Sequence, residues 1–171
     1  MLNILFVEAN TSAIYQELSI NYSAIETPTW SLLLAESCRS KNYNVAILDC
    51  NAERLSDDES IVRIVEHSPE IVCFVVYGQN PNSGTTNMSA STKTAQKLKL
   101  ENPDLKIMFI GSHTSALPME VLKEEYVDFI SINEGVYTLH DLLETNKKDN
   151  LEKVRGLGYK ENGALLFGKP G

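Results

Sequence analysis

The fold class this sequence predicts is α/β: a five-stranded parallel sheet flanked by helices, with a C-terminal β-hairpin. Three observations predict it. Short apolar runs alternate with stripes of apolar residues at helical spacing. That strand-then-helix alternation occurs five times, as parallel strands joined by helical crossovers require. A length of 171 residues, 43% of them hydrophobic, suits one layered domain with a short appendage. Right-handed crossovers narrow the topologies, and the expected strand order is 2-1-3-4-5, as in flavodoxin-like sheets.

Residues 2–7 are the first apolar run, and a long polar loop follows as far as Thr27. Thr27 suits a helix cap and Pro28 the first helical position, where a missing N–H costs nothing. Trp30, Leu33, Leu34, Ser37 and Cys38 then recur at the spacing of one helix face. Residues 44–48 read as the second strand. Ser56 and Glu59 have the spacing of a capping box, in which each satisfies the other's free backbone donor. Ile61, Ile64 and Val65 supply the buried stripe of the helix it opens. Pro69 closes that connection, and residues 71–76 form a continuous apolar run of the kind buried on both sheet faces. After a polar loop, Met88, Ser91, Ala95 and Leu98 mark the next helix. Residues 106–110 are the fourth strand, Pro118 opens a short helix reaching Glu124, and residues 127–132 are the fifth strand. Val136, Leu139, Leu142 and Leu143 mark the last helix.

Residues 145–155 read as a charged linker. Beyond it, two apolar runs flank Glu161-Asn162-Gly163, and Asn-Gly in that setting predicts a hairpin because both residues tolerate positive φ. An isolated hairpin is marginal in water, so this one is expected to dock on another element. The closing Gly168-Lys169-Pro170-Gly171 resembles the start of a linker. The chain is therefore expected to be a piece of a longer protein, with residues 1–145 an α/β domain and residues 146–171 a linker and hairpin leading onward.

Composition excludes several function classes. The net charge is −8 and the pI near 4.9, and Lys93, Lys97 and Lys99 form no more than one solvated helix face. Nucleic acid is therefore not an expected partner, because phosphate neutralisation needs clustered Lys and Arg. No apolar run approaches the roughly 20 residues that span a bilayer, so a membrane is not expected either. The N-terminus lacks the basic region and cleavage site of a signal peptide. Cys38, Cys50 and Cys73 are odd in number, lie in apolar contexts and show no C-x-x-C spacing. They read as small buried hydrophobes in a reducing, cytoplasmic compartment.

Ligands of an open parallel sheet bind outside the carboxyl ends of the strands. Five loops lie there: residues 8–26, 49–52, 77–86, 111–115 and 133–135. The first is long for such a connection, where about 2 to 6 residues is usual. Most are rich in small and hydroxyl residues, which let a large ligand approach the backbone. Three uses of this architecture lack their marks. Glu8-Ala9-Asn10-Thr11-Ser12 has no glycine and opens with a carboxylate, unlike a flavin phosphate loop. The third strand ends in Tyr77-Gly78 where a phospho-receiver has an Asp, and no Lys lies between Glu125 and Lys147 to end the fifth strand. The G-x-G-x-x-G of dinucleotide folds is absent.

His67 and His140 read as helix histidines. His113, beside Ser112, Thr114 and Ser115, is either ligand-lining or structural, and no Asp or Cys stands near enough in sequence to argue a triad. Glu134 either lines the site or complements the dipole of the last helix. The segment 80–86 is either a ligand loop or a solvated turn. No nucleophile–base pair can be named, so no catalytic residue and no metal ligand is assigned.

Five phrases, in order, carry a resemblance. Gly111-Ser112-His113-Thr114-Ser115-Ala116-Leu117-Pro118-Met119-Glu120 resembles the Gly-Pro-His-x-Thr-Ala-Leu-Pro-x-Glu phrase of N-terminal cobalamin-binding domains in radical-SAM enzymes. Val127-Asp128-Phe129 with Glu134-Gly135-Val136-Tyr137-Thr138-Leu139 resembles their Val-Asp-Phe…Gly-Glu-Gly-Glu-x-Thr-Leu phrase. Thr27-Pro28-Thr29-Trp30-Ser31-Leu32-Leu33-Leu34-Ala35 resembles their Pro-x-Gly-Leu-x-x-Leu-Ala helix start, and Asp49-Cys50-Asn51-Ala52 their Asp-x-x-Ala stretch. Gly156-Leu157-Gly158-Tyr159…Asn162-Gly163 resembles the hairpin before their radical-SAM barrel.

The resemblance implies a Rossmann-like domain holding cobalamin at the strand carboxyl ends, with the nucleotide tail entering the protein. The residues it points to are Glu8, Asn10, Asn51, Tyr77, Gln79, Thr85, Thr86, Gly111, Ser112, His113, Thr114, Asn133, Glu134 and Gly135, with Thr85, Thr86, Gly111 and Ser112 expected in closest contact. None of the histidines has an Asp two residues before it, so the Asp-x-His-x-x-Gly motif is absent. The implied state is base-off, without a histidine lower ligand, the lower face covered by residues 8–26. Ser112 and Asn133 depart from the family's Pro and Gly. S-adenosylmethionine and a [4Fe-4S] cluster would belong to a radical-SAM domain elsewhere in the same polypeptide, because the C-x-x-x-C-x-x-C motif is missing here. The parent's chemistry would be methyl transfer or ring formation. The alternative is a degenerate domain of the same fold that binds no cofactor and serves as an interaction or substrate-docking module, its strand-end cleft filled by Tyr77 or His113.

Overall fold

The computed structural model of the chain describes residues 1–12, 27–77, 81–145 and 150–170; for residues 81–85 it describes the backbone alone. Side chains alternate across each central strand, which creates two cores and hence three layers. Strand β1 (Leu2–Glu8) sends Leu5 and Val7 to one face and Ile4 and Phe6 to the other. It pairs in parallel with β2 (Val45–Asp49) on one side and β3 (Pro69–Val76) on the other. Then come β4 (Lys106–Gly111) and the short β5 (Phe129–Ser131), both parallel. The order β2-β1-β3-β4-β5 is the one expected from the sequence.

The hairpin docks on the sheet itself. Strand β6 (Leu157–Glu161) pairs antiparallel with β5, and β7 (Ala164–Phe167) pairs with β6, giving seven strands in one sheet. Asn162 and Gly163 both have positive φ, 51° and 80°, the two-residue turn whose twist matches the flanking strands. Gly158 faces Ile130 across the β5–β6 pair, where a Cβ would stand 2.5 Å from Ile130 Cγ1. Only a residue without a side chain lets β6 lie this close.

Helices α1 (Thr29–Arg39) and α6 (Val136–Glu144) cover one face, through Leu34, Ala35 and Cys38 and through Leu139, Leu142 and Leu143. Helices α2 (Asp57–His67), α3 (Pro81–Glu101) and α5 (Pro118–Leu122) cover the other, through Ile61 and Ile64, Met88, Ala95 and Leu98, and Val121 and Leu122. Phe109 is fully buried there, stacked on Phe74 at 5.2 Å and edge-on to Tyr126. The capping box at Ser56 is complete, with Glu59 N–H donating to Ser56 Oγ and Ser56 N–H to Glu59 Oε2 at 2.8 Å.

Several expectations need correction. Thr27 caps α1 with no side chain; its carbonyl instead accepts the Thr29 N–H at 2.7 Å. The buried face of α1 is Ser31, Leu34, Ala35 and Cys38, one residue out of phase with the apolar stripe, so Leu33 is 56% exposed. A serine can occupy that inner face because its hydroxyl donates to Glu8 Oε1 at 2.6 Å. In α2 Val65 is exposed and Ser60 takes the buried place beside Ile61 and Ile64. Helix α3 begins at Pro81, so residues 81–86 are helical and not a loop or solvated turn. Of residues 111–115, read as a loop, all but Gly111 lie in the short helix α4 (Ser112–Ala116). Of the charged segment 145–155, residues 146–149 lie outside the described residues, but Val154 is fully buried. Arg155 Nε and Nη2 reach the two carboxylate oxygens of Asp141, each at 2.7 Å. Cys38, Cys50 and Cys73 are all free and buried, as expected.

Candidate functional site

The chain turns back at the junction of β1 and β3: β2 lies on one side of β1, and β3, β4 and β5 run outward on the other. Helices α1 and α3, which follow β1 and β3, pack on opposite faces, and the carboxyl edge between two such strands is the usual ligand site of these sheets. Glu8 ends β1, in register with Asp49 at the end of β2. Burial pushes the Glu8 carboxyl up from 4.5 to about 7, against the lowering effect of the Ser31 hydroxyl and with a smaller push from Asp49. Asn10, just beyond, donates from Nδ2 to the Leu55 carbonyl at 2.9 Å and accepts the Ser12 N–H. Asn51 lies in the turn after β2, where its carbonyl accepts the Arg54 N–H.

Tyr77, the residue after β3, meets three other segments at once. Its ring stacks on Trp30 of α1, centroids 4.3 Å apart and planes 21° from parallel. Its hydroxyl donates to the Asn133 carbonyl beyond β5 at 2.9 Å, and its own carbonyl accepts from Asn87 Nδ2 of α3 at 2.8 Å. Burial, with lesser contributions from Glu134 and Cys73, pushes the phenol up to about 12, so it remains a donor throughout the ordinary pH range. Asn133 takes the left-handed conformation, φ 67°, and its N–H donates to Ser115 Oγ at 2.9 Å. The Gly-to-Asn departure at this position therefore keeps the backbone shape a glycine would have. The third, fourth and fifth loops are thus tied into one rim.

Gly111 lies against the end of β3, where a Cβ would stand 2.2 Å from the Val76 carbonyl oxygen. The α4 turn that follows presents Ser112 to solvent, leaves His113 half-buried and buries Thr114 completely. The Thr114 hydroxyl has no hydrogen-bond partner, one of two such buried side-chain groups among the described residues; the other is Ser91 on α3. Glu134 is exposed, and Gly135, φ 81°, packs on Ile110 and on Ser131 Oγ. Thr85 and Thr86 lie in α3, and Gln79 lies outside the described residues, as does most of the first loop, residues 13–26.

Sequence reasoning did not find Trp30, Ser31, Asn87 or Ser115 as parts of this rim. The available signal was positional: an aromatic in the first turn of the helix that leaves β1, beside a polar neighbour. His67 ends α2 and His140 contacts Ser37 on α1 at 2.9 Å, so neither joins the rim. A surface depression lined by Val65, Ser68, Glu70, Asn102 and Leu105 lies at the opposite, amino-terminal edge of the sheet. Among the described residues no three His, Cys, Asp or Glu side chains gather to hold a metal, and no helix is long and apolar enough to cross a membrane.

Fold and rim together define a doubly wound α/β domain whose strand-end loops meet at its carboxyl edge. The chain belongs to the B12-binding domain family, whose pattern it matches over residues 18–143. Its Rossmann-like sheet is similar to part of two larger proteins of known structure. One is the radical S-adenosylmethionine methyltransferase TsrM from Kitasatospora setae, solved with cobalamin and a [4Fe-4S] cluster bound, with a TM-score of 0.73 and 15% identity over 99% of this chain. The other is the cobalamin-dependent S-adenosylmethionine radical enzyme OxsB, solved with aqua-cobalamin bound, with a TM-score of 0.69 and 20% identity over all of this chain. This chain spans 29% of the first and 22% of the second. No curated protein matches it in sequence.

Proposed function

We propose that this chain is the cobalamin-binding module of a larger radical-SAM enzyme, and that it holds the cofactor base-off with no histidine beneath the cobalt. The observation that carries the reading is the rim in which Tyr77 and Ser115 are both tied to Asn133 at the carboxyl edge, with the buried, unpartnered Thr114 next to Ser115 in sequence, in a chain of the B12-binding family. The residues present fit the group. A corrin carries many amide arms, and the rim offers neutral hydroxyls and backbone groups with little bulk. Thr85, Thr86, Gly111, Ser112, His113 and Gly135 would line the tail and corrin contacts, with Asn133 and Glu134 at the outer edge. Glu8 and Asn10, at the start of the first loop, would lie toward the lower face, and Asn51, Tyr77, Gln79 and Thr114 would complete the set of binding residues. When bound, cobalamin supplies a cobalt centre that carries a methyl group or exchanges electrons.

Two observations support the base-off state without histidine. His67 and His140 are placed away from the rim, and His113 lacks the Asp that would orient it. Residues 1–145 would form the binding unit, and the hairpin, continuous with the sheet, would lead to a radical-SAM domain in the same polypeptide that binds S-adenosylmethionine and the [4Fe-4S] cluster. Methyl transfer or ring formation would be the parent's reaction. Three buried free thiols accord with a cytoplasmic setting.

The test is reconstitution with hydroxocobalamin, desalting, and a visible spectrum, followed by an electron paramagnetic resonance spectrum of the reduced Co(II) form. Retained cobalamin without nitrogen splitting is the expected result. A protein that desalts colourless overturns the cobalamin reading, and nitrogen splitting overturns the base-off part. Tyr77, tied to both Trp30 and Asn133 at the carboxyl edge, favours a second reading: a domain of the same fold that binds no cofactor and docks a partner or substrate. Retention of cobalamin refutes that one.

A further inference from the structure

Strand β7 ends the sheet, and among the described residues no strand lies on its outer side. The two-residue turn at Asn162-Gly163 fixes which of its backbone groups point outward. Glu161 and Ala164 flank that turn and are the hydrogen-bonded pair that closes it, and bonding alternates from there along an antiparallel ladder. Ala164 and Leu166 therefore turn their N–H and C=O groups inward to β6. The Gly168 N–H, two residues further, donates to the Leu157 carbonyl at 2.8 Å, as that alternation requires. Leu165 and Phe167 turn their backbone groups outward. Sheet edges are ordinarily blunted by a charged side chain or a proline within the strand, and Ala164-Leu165-Leu166-Phe167 has neither. Phe167 lies against Gly158 yet is 39% exposed. Leu165 and Leu166 are half-buried, Leu165 against the core that holds Ile130 and Leu166 against the core that holds Val154.

These outward groups are complementary to a copy of themselves. A twofold axis through Leu166 sets Leu165 of each copy opposite Phe167 of the other, and each such pair exchanges two backbone hydrogen bonds. Leu165 and Phe167 share one face of the strand, so a leucine meets an aromatic ring on both sides of the axis. On the other face Leu166 meets its own copy at a non-hydrogen-bonded pair, where side chains approach most closely. Lys160 and Lys169 beside Glu161 keep the acidic surplus of the chain away from this contact. We infer that β7 is a self-recognition edge, through which two copies of this chain join antiparallel and double the seven-stranded sheet. The contact is isologous and closes at the dimer. A four-residue edge buries less than the ~800 Å² per partner of a standard interface, so this dimer exchanges with monomer. The inference does not rest on the proposed function, because β7 stands at the far end of the sheet from the junction of β1 and β3.

The test is sedimentation equilibrium of the purified protein, whose average mass should climb from monomer toward dimer between about 10 µM and about 1 mM, the range of a small interface. Leu165→Pro removes an N–H that bonds nothing in β6, at an edge position that tolerates proline. It should weaken association about thirtyfold, the worth of two neutral hydrogen bonds per dimer, while native circular dichroism is kept. Two cysteine variants read the register, against native thiols that are all buried. Leu166→Cys should form an intermolecular disulfide on mild oxidation, because its two copies face each other across the axis. Copies of Ala164→Cys would stand about 13 Å apart and should not. A protein that stays monomeric at every concentration overturns the inference, as do open-ended polymers, unweakened association of a folded Leu165→Pro, or equal cross-linking at both cysteine positions. If Leu165→Pro loses its circular dichroism, the cysteine pair decides. Hydrogen-exchange protection of the Leu165 and Phe167 amides that does not change on dilution also overturns it, since the edge then belongs to another segment of the same polypeptide.

Discussion

Replacing Glu8 by glutamine should leave the protein unchanged in acid and stabilise it progressively as the pH rises. Glu8 ends β1 inside the carboxyl edge, where burial pushes its carboxyl from 4.5 to about 7. The folded state therefore binds this proton more tightly than the unfolded chain does. Stability from Glu8 is fully present below pH 4.5 and is lost as the pH climbs through 7, where the folded protein must ionise a buried group. At about 1.4 kcal/mol per pH unit of separation, the loss amounts to ~2 kcal/mol at pH 6 and levels off near ~3 kcal/mol above pH 8. Glutamine keeps an oxygen to accept the Ser31 hydroxyl, now 2.6 Å from Oε1, but carries no charge to desolvate. The assay is urea denaturation of both proteins at unit steps from pH 4 to 9, plotted as the difference in unfolding free energy. Other titrating groups cancel in that difference. A flat difference, or one that grows toward acid, would refute the argument that burial dominates at Glu8.

Other expectations follow from the packing. Gly111→Ala would place a methyl 2.2 Å from the Val76 carbonyl oxygen, and backbone cannot yield as a side chain can; a loss of about 1–3 kcal/mol in thermal unfolding is expected, and under ~0.5 kcal/mol would contradict it. Asp128→Ala removes the acceptor for Lys99 Nζ, Lys106 Nζ and the Ile107 N–H, at 2.7, 2.9 and 2.9 Å, and should cost about 2–3 kcal/mol by urea denaturation. Phe109→Ala opens a cavity between Phe74 and Tyr126 and should cost about 3–5 kcal/mol. Burial holds the Cys38 and Cys50 thiols up near about 12 and about 11, and Cys73 well above its usual range. A thiol reagent at pH 8 should therefore label all three only after unfolding, and rapid labelling of the native chain would refute their burial.

How much of this was legible in the sequence differs by feature. The capping box at Ser56 and the Asn162-Gly163 turn were read correctly because both are short-range devices whose partners lie within three residues. The strand order β2-β1-β3-β4-β5 matches the expected one, but alternation and right-handed crossovers only narrowed the topologies; the pairing of distant strands selected among them. The phase of α1 was not legible. Leu33 continues the apolar stripe yet points to solvent, because Ser31 turns inward to reach Glu8, a partner remote in sequence. The start of α3 at Pro81 was missed because its first residues are polar and carry no stripe.

The candidate site divides in the same way. The sequence by itself pointed to the carboxyl ends of a parallel sheet, to the loops of small and hydroxyl residues there, and to the family the loop phrases resemble. It also determined that no Asp-x-His pair exists to supply a lower ligand. Only the tertiary structure decided that Tyr77 stacks on Trp30, bonds to Asn133 and so ties the third loop to the first helix and the fifth loop. Only it buried Thr114 without a partner and raised the carboxyl of Glu8. The physical reason is range: periodicity and turn chemistry act between near neighbours along the chain. Burial, stacking and proton affinity depend instead on which distant segments the finished sheet brings to one edge.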